Sequence, residues 1–200
     1  GRRKTVLGFI KIRAYADGID ILENITDRAG NSPIGKKAQR AIAEHYEQRG
    51  EYEQAYQKWS QIHSRWASGQ IGQDSLLGMA RSKQAAFRGP AYDGAHLLSA
   101  RSYYEMFQSR YPEAAAELDI ADKIEQIKEQ YAYKQFRKGR FYMRSGERQA
   151  ANYYFQMTID NWPKSQAAKM SRAALEQGEA IFREKGWKRE AFEEFEELLL

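Results

Sequence analysis

The chain has 200 residues, 32 of them basic and 27 acidic, with a net charge of +5, and it contains no cysteine. That length suffices for a sizeable core, and the small charge excess does not by itself indicate nucleic acid. The missing cysteines exclude disulfides, thiolate metal sites and cysteine nucleophiles, and scarce proline with abundant Ala, Glu, Gln, Arg and Lys points to an all-helical protein.

The chain opens Gly-Arg-Arg-Lys without a methionine, as a processed fragment would, so a signal or lipid anchor is compatible with sequence upstream. Residues 1–13 lack a helical period and are expected to be an extended or disordered lead-in. Their longest apolar stretch, Val6–Ile12, is interrupted by Lys11 and is far short of the ~20 residues a membrane span needs. A helical pattern begins at Ala14 with Ile21 and Ile25 and breaks at Gly30-Asn31-Ser32-Pro33. Ser32 is placed to cap the next helix, with Pro33 as its first residue.

Helices are predicted over Ile34–Gly50, Glu51–Ala67 and Asp74–Arg88, and after a delay at Gly89-Pro90-Ala91-Tyr92 over Asp93–Arg110. Between Pro112 and Gly146 only Gly139 interrupts, which predicts one helix of about nine turns. Ser165–Lys185 reads as a further long helix. The acidic end, Arg189–Leu200, reads as a truncated helix.

Lys138–Pro163 supplies the repeat signature. Gly139, Tyr142, Gly146, Ala151, Phe155 and Pro163 follow the small, aromatic, glycine, small, aromatic, proline order of a tetratricopeptide (TPR) repeat. Gly139 and Ala151 would admit close helix approach, Tyr142 and Phe155 would fill the gap, Gly146 would turn the chain and Pro163 would start the next helix. Ala43, Tyr46, Gly50, Ala55, Trp59 and Trp66 lie 96 positions before Gly139, Tyr142, Gly146, Ala151, Phe155 and Trp162. Less complete companions are Ile21, Ile25 and Pro33; Ala100, Tyr104, Tyr111 and Pro112; and Phe182, Gly186, Ala191 and Phe195. The steps between units are 34, 45, 51 and 40 residues. The expectation is an all-α, TPR-like superhelical array of antiparallel helix pairs, an α-solenoid of about nine helices. It would form one domain over 14–200, with a half-repeat at 14–32 and repeats near 33–67, 72–111, 112–162 and 164–200.

No catalytic constellation is visible. His45, His63 and His96 fall in three helices without ligand spacing, and the P-loop, dinucleotide, zincin and nucleophile-elbow motifs are absent. No enzyme, metal, cofactor or small-molecule substrate is therefore expected. The basic run Lys134, Arg137, Lys138, Arg140, Arg144, Arg148 is interleaved with Tyr131, Tyr133, Phe136 and Phe141, a mixture that suits nucleic acid. On a helix, however, those cations spread around the cylinder, and a solvated or partner-facing surface is the preferred reading. In a TPR array the first helix of each pair lines a concave, peptide-holding face. That face would carry Lys37, Arg40, Glu44 and Glu47 in one unit and Tyr133, Phe136, Arg140 and Met143 in another, at the same offset of 96. A peptide with an apolar or aromatic end and a carboxylate fits the pairing. The alternative for Tyr133 and Phe136 is burial by the neighbouring repeat. The asparagines of a chaperone-type carboxylate clamp are missing.

Three passages resemble the BamD/YfiO family of outer-membrane assembly lipoproteins. They are LLGMARSKQ (Leu76–Gln84) with ARSYYEMFQSRYP (Ala100–Pro112), the link AAAELDIADKIEQIKEQYA (Ala114–Ala132), and GRFYMRSGERQAANYYFQMTIDNWPKS (Gly139–Ser165). Arg148, Asn152 and Tyr154 depart from the family block, and the lipid-acceptor cysteine is not in this sequence. The resemblance implies a non-enzymatic scaffold on the periplasmic side of the outer membrane, anchored by a lipid outside this chain. Its N-terminal repeats would hold outer-membrane protein clients, and its C-terminal repeats would dock on other subunits of the assembly machine. The other readings are a TPR adaptor of a different envelope or secretion complex, and a nucleic-acid-binding helical repeat.

Overall fold

The computed structural model describes residues 10–178, 180–181, 190 and 193–194. Among them the chain is all-helical. The helices are α1 (Ile10–Ala29), α2 (Pro33–Gln48), α3 (Tyr52–Arg65), α4 (Gly69–Ala85), α5 (Ala95–Arg110), α6 (Pro112–Glu117), α7 (Ile120–Arg144), α8 (Arg148–Asn161) and α9 (Gln166–Glu176). Two compact units form. The first comprises 1–86 with 99–117, the second 87–98 with 118–200.

In the first unit α1 packs on α2, α2 on α3 and α3 on α4. Ser32 caps α2, its hydroxyl accepting the Gly35 amide at 3.2 Å, with Pro33 at the position where a missing N–H is harmless. The core holds Ala43, Ala55, Trp59, Ile62 and Met79. A Cβ on Gly78 would overlap the Trp59 indole, so this glycine lets α4 close on α3. From α5, Tyr103 bonds Tyr56 hydroxyl to hydroxyl at 2.7 Å, and buried Tyr104 donates to Gln84 at 2.9 Å. Desolvation pushes both Tyr103 and Tyr104 up to about 12, so both hydroxyls stay protonated.

In the second unit α7 packs against α8 and α9 together. Ala132, Phe136, Met143, Ala151, Phe155, Ala167 and Ala174 make its core. A Cβ on Gly139 would lie 2.5 Å from the Phe155 ring, which is why a glycine stands there. The Phe136 and Phe155 rings meet at 5.8 Å.

The 96-residue register reappears in the backbone. Gly50 and Gly146 turn the two hairpins at φ of +75° and +83°, values that a residue without Cβ adopts without strain. Glu51 and Glu147 precede the second helices with nearly the same angles, and their amides bond to Tyr46 and Tyr142 at 2.9 Å in both cases. Trp66 and Trp162 end those helices in closely matching backbone conformations.

Several expectations are corrected. The first helix starts at Ile10, not Ala14. The long helix expected from Pro112 to Gly146 is broken between α6 and α7, where Asp119 takes a left-handed φ of 50°. Aspartate tolerates that conformation because its short polar side chain can bond locally, so no glycine or proline announces the break. Pro163 does not start a helix. It sits in the turn closed by the Ser165 amide on the Trp162 carbonyl at 2.9 Å, and Ser165 caps α9 two residues later. Ile21, the register companion of the buried Ala151, is 60% exposed. Tyr142, as expected, packs against the core that holds Phe155, and it also stacks on Tyr154 of the facing helix. The landmarks Phe182, Gly186, Ala191 and Phe195 lie outside the described residues, as does most of Arg189–Leu200.

Candidate functional site

Arg40 and Glu44 project from one face of α2, and Asp74 and Arg81 from α4 beside it. Arg40 donates to Glu44 at 2.7 Å and also pairs with Asp74, which accepts from Gln70 at 2.9 Å. Two helical turns along, Arg81 pairs with Glu47 at 2.9 Å. Glu47 is largely buried and takes the Trp59 indole N–H at 3.0 Å and the Ser82 hydroxyl at 3.2 Å. Glu47 therefore organises the core as well as the surface. Lys37 is exposed at the end of this face and forms no ion pair among the described residues. The hydrogen bond and coulombic attraction from Glu44, with those from Asp74, hold Arg40 above its ordinary value despite partial desolvation.

The predicted quartet Lys37, Arg40, Glu44, Glu47 thus lies on one helix face, and α4 extends it. Sequence periodicity alone does not single out Asp74 and Arg81. Their signal is nonetheless present: each ion pair across the two helices, Arg40–Asp74 and Glu47–Arg81, joins residues 34 apart, the period of an ordinary TPR unit. The longer 45-residue step between α3 and α5 arises later, in residues 86–94. Surface pairs such as Arg40–Glu44 are worth about 0–1 kcal/mol. A ligand carboxylate could replace Glu44 at Arg40, or a ligand ammonium replace Arg40 at Asp74, with little loss.

The second quartet is only partly at the surface. Phe136 and Met143 are buried at 0% and 1% exposure, because α9 closes over the apolar stripe of α7 with Ala167 and Ala174. They are core residues and not ligand contacts, which corrects the reading of them as part of an open face. Tyr133 and Arg140 are half-buried at its edges, with Tyr133 6.1 Å from Phe136 and the Arg140 guanidinium 5.9 Å from the same ring. Desolvation, then repulsion from Arg144 and Arg137, pulls Arg140 below its usual value.

The basic run divides in the same way. Lys134 is buried and donates to the Pro90 carbonyl at 3.1 Å and to the Tyr92 carbonyl, fastening the 87–94 loop to α7. Arg137 is exposed, and Lys138 is half-buried with its ammonium 5.4 Å from the Tyr154 ring centroid. Of the histidines, His63 bonds to the Ser75 hydroxyl at 3.0 Å. Among the described residues no group of His, Asp and Glu could hold a metal ion, and no helix is long and apolar enough to cross a membrane.

No protein-family model matches the chain, and no curated protein matches it.

Proposed function

We propose that the protein is a non-enzymatic, TPR-like α-solenoid adaptor of the cell envelope that serves outer-membrane β-barrel assembly by holding client or partner peptides. The observation that carries the reading is the pair of 34-spaced ion pairs, Arg40–Asp74 and Glu47–Arg81. They set the α2 and α4 faces side by side as a polar strip of exchangeable charges. The duplicate hairpins at an offset of 96 support a repeat architecture, and the resemblance of Leu76–Gln84, Ala100–Pro112 and Gly139–Ser165 to outer-membrane assembly lipoproteins supplies the compartment.

On this reading Lys37 and Arg40 receive a peptide carboxylate, and Asp74 orders Arg40 for it. The test is binding of peptides from outer-membrane barrel proteins, compared with short peptides that end in an aromatic residue and a free carboxylate. Their affinity should fall about tenfold in Lys37→Ala combined with Arg40→Ala, and more weakly when the peptide is amidated. Equal binding of amidated and free peptides, or no effect of the double substitution, excludes this face as the site. Capture of a different envelope or secretion complex with no affinity for barrel peptides would favour the other adaptor reading.

A further inference from the structure

A second surface lies on the α7–α8 hairpin. Phe141, Tyr142, Tyr154 and Tyr153 form a continuous row of rings across the two helices, each consecutive pair with centroids 5.4 Å apart. The central pair, Tyr142 and Tyr154, is stacked at an interplanar angle of 3°, and both outer rings stand edge-on to it. Phe141 and Tyr153, the ends of the row, are 62% and 63% exposed. Single exposed aromatics are ordinary. A connected row of four, anchored at its centre and open at both ends, is the kind of surface that protein interfaces enrich.

The surroundings are positive. No Asp or Glu occurs between residues 130 and 146. Arg137 and Lys138 sit one turn before Phe141 on its own helix face, and neither has an ion-pair partner among the described residues. The Lys138 ammonium lies 5.4 Å from the Tyr154 ring centroid. Of the nearest carboxylates, Glu147 is in the turn, and Asp160, at the end of α8, accepts from Gln156 at 2.8 Å.

We propose that this face is a docking surface for an acidic peptide segment of a protein partner, one that carries aromatic or large aliphatic side chains to lie against Phe141 and Tyr153. Charge complementarity selects the acidic partner. The ring geometry favours peptide over single-stranded nucleic acid. Base stacking needs free ring faces, whereas Tyr142 and Tyr154 spend one face on each other and Lys138 covers Tyr154 besides. The surface uses none of the residues of the α2–α4 strip and does not depend on the role assigned there.

Fluorescence anisotropy of the full chain with a short fluorescein-labelled peptide of Asp, Glu and Phe tests this at physiological salt. Saturable binding is expected. It should weaken about tenfold when the peptide acids become Asn and Gln, when its Phe becomes Ser, or when the protein carries Phe141→Ser. Arg137→Gln with Lys138→Gln should weaken it similarly. Thermal melting checks that each variant folds, and Tyr153→Ser, on the other helix, gives an independent reading of the row. Absence of saturable binding overturns the proposal. So does equal affinity for the neutral peptide, indifference to the Phe141 and Tyr153 substitutions, or tighter binding of oligothymidylate or phosphatidylglycerol vesicles than of the peptide.

Discussion

Glu129 of α7 accepts the backbone amide of Ala167, the second residue of α9, at 3.0 Å, while its other carboxylate oxygen accepts the Gln166 amide at 2.9 Å. A carboxylate from a neighbouring helix thereby satisfies two of the amides that a helix start leaves open, and it meets the positive end of the helix dipole. Glu129→Ala should destabilise the protein by about 1–3 kcal/mol in urea unfolding. A loss no larger than that of Gln130→Ala, the adjacent position, would show that the two bonds are not formed in solution.

Gly139 and Phe155 form a size-matched pair. Phe155→Ala empties a fully buried site and should cost about 3–5 kcal/mol. Gly139→Ala should cost about 1–3 kcal/mol by overpacking against the same ring. Combining Gly139→Ala with Phe155→Leu should cost less than the sum of the single changes, since the smaller side chain makes room. Strict additivity in a double-mutant cycle argues against the contact.

Glu47 combines a buried role with a surface one. Glu47→Ala leaves the Trp59 N–H, at 1% exposure, without its acceptor and should lower stability by about 2–3 kcal/mol. Lys37→Ala, on the same helix face but exposed, should change stability by less than about 0.5 kcal/mol. Equal effects of the two substitutions in thermal unfolding would contradict the structure.

His63 should make stability sensitive to mild acid. Burial, the largest influence, and the nearby Arg110 hold its folded-state value below the ordinary 6.5, against the opposing pull of the Gly72 carbonyl. The unfolded chain therefore takes up the proton first. The contribution of neutral His63 is fully present above about pH 6.5 and is lost as pH falls through the lowered folded value. Melting temperature followed from pH 7.5 downward should drop less steeply in His63→Gln than in the parent.

Lys134 is a structural cation. Burial, followed by repulsion from Lys138, lowers it from its ordinary value, while Asp93 opposes the shift. Lys134→Met keeps the aliphatic stem but removes both bonds to the 87–94 loop, at a cost of about 1–3 kcal/mol. Amide hydrogen exchange should quicken at Tyr92, whose own N–H bonds to Gly89. Unchanged exchange there would mean that the loop holds without the lysine.

Much of the local architecture was legible because it is written in residues with few alternatives. Gly50 and Gly146 mark positive-φ turns, Ser32 before Pro33 marks a cap, and Ala43, Ala55 and Ala151 mark close helix approach. What stayed hidden depends on which helix covers which face. Phe136 and Met143 have the same spacing as Arg40 and Glu47, and only the position of α9 makes them core. Lys134 reads as one more member of a basic run, and nothing local shows that two loop carbonyls desolvate it. The break at Asp119 uses a residue that is equally at home in a helix's first turn. For the α2–α4 strip, Arg40 and Glu44 were readable from periodicity, whereas Asp74 and Arg81 required that the 34-residue offset be carried from landmark residues to charged ones.

The path of the chain between the two compact units has a practical consequence. It leaves the first unit after residue 86, contributes 87–98 to the second, and returns with 99–117 before leaving for good at residue 118. No single peptide bond separates the two. A fragment ending at Ala86 would keep Tyr56 and Gln84 but lose Tyr103 and Tyr104, their hydrogen-bond partners. A fragment beginning at Leu118 would leave Lys134 without the carbonyls of Pro90 and Tyr92. Neither half is a self-sufficient piece, so a loss of binding on truncation would report unfolding before it reported the location of a site.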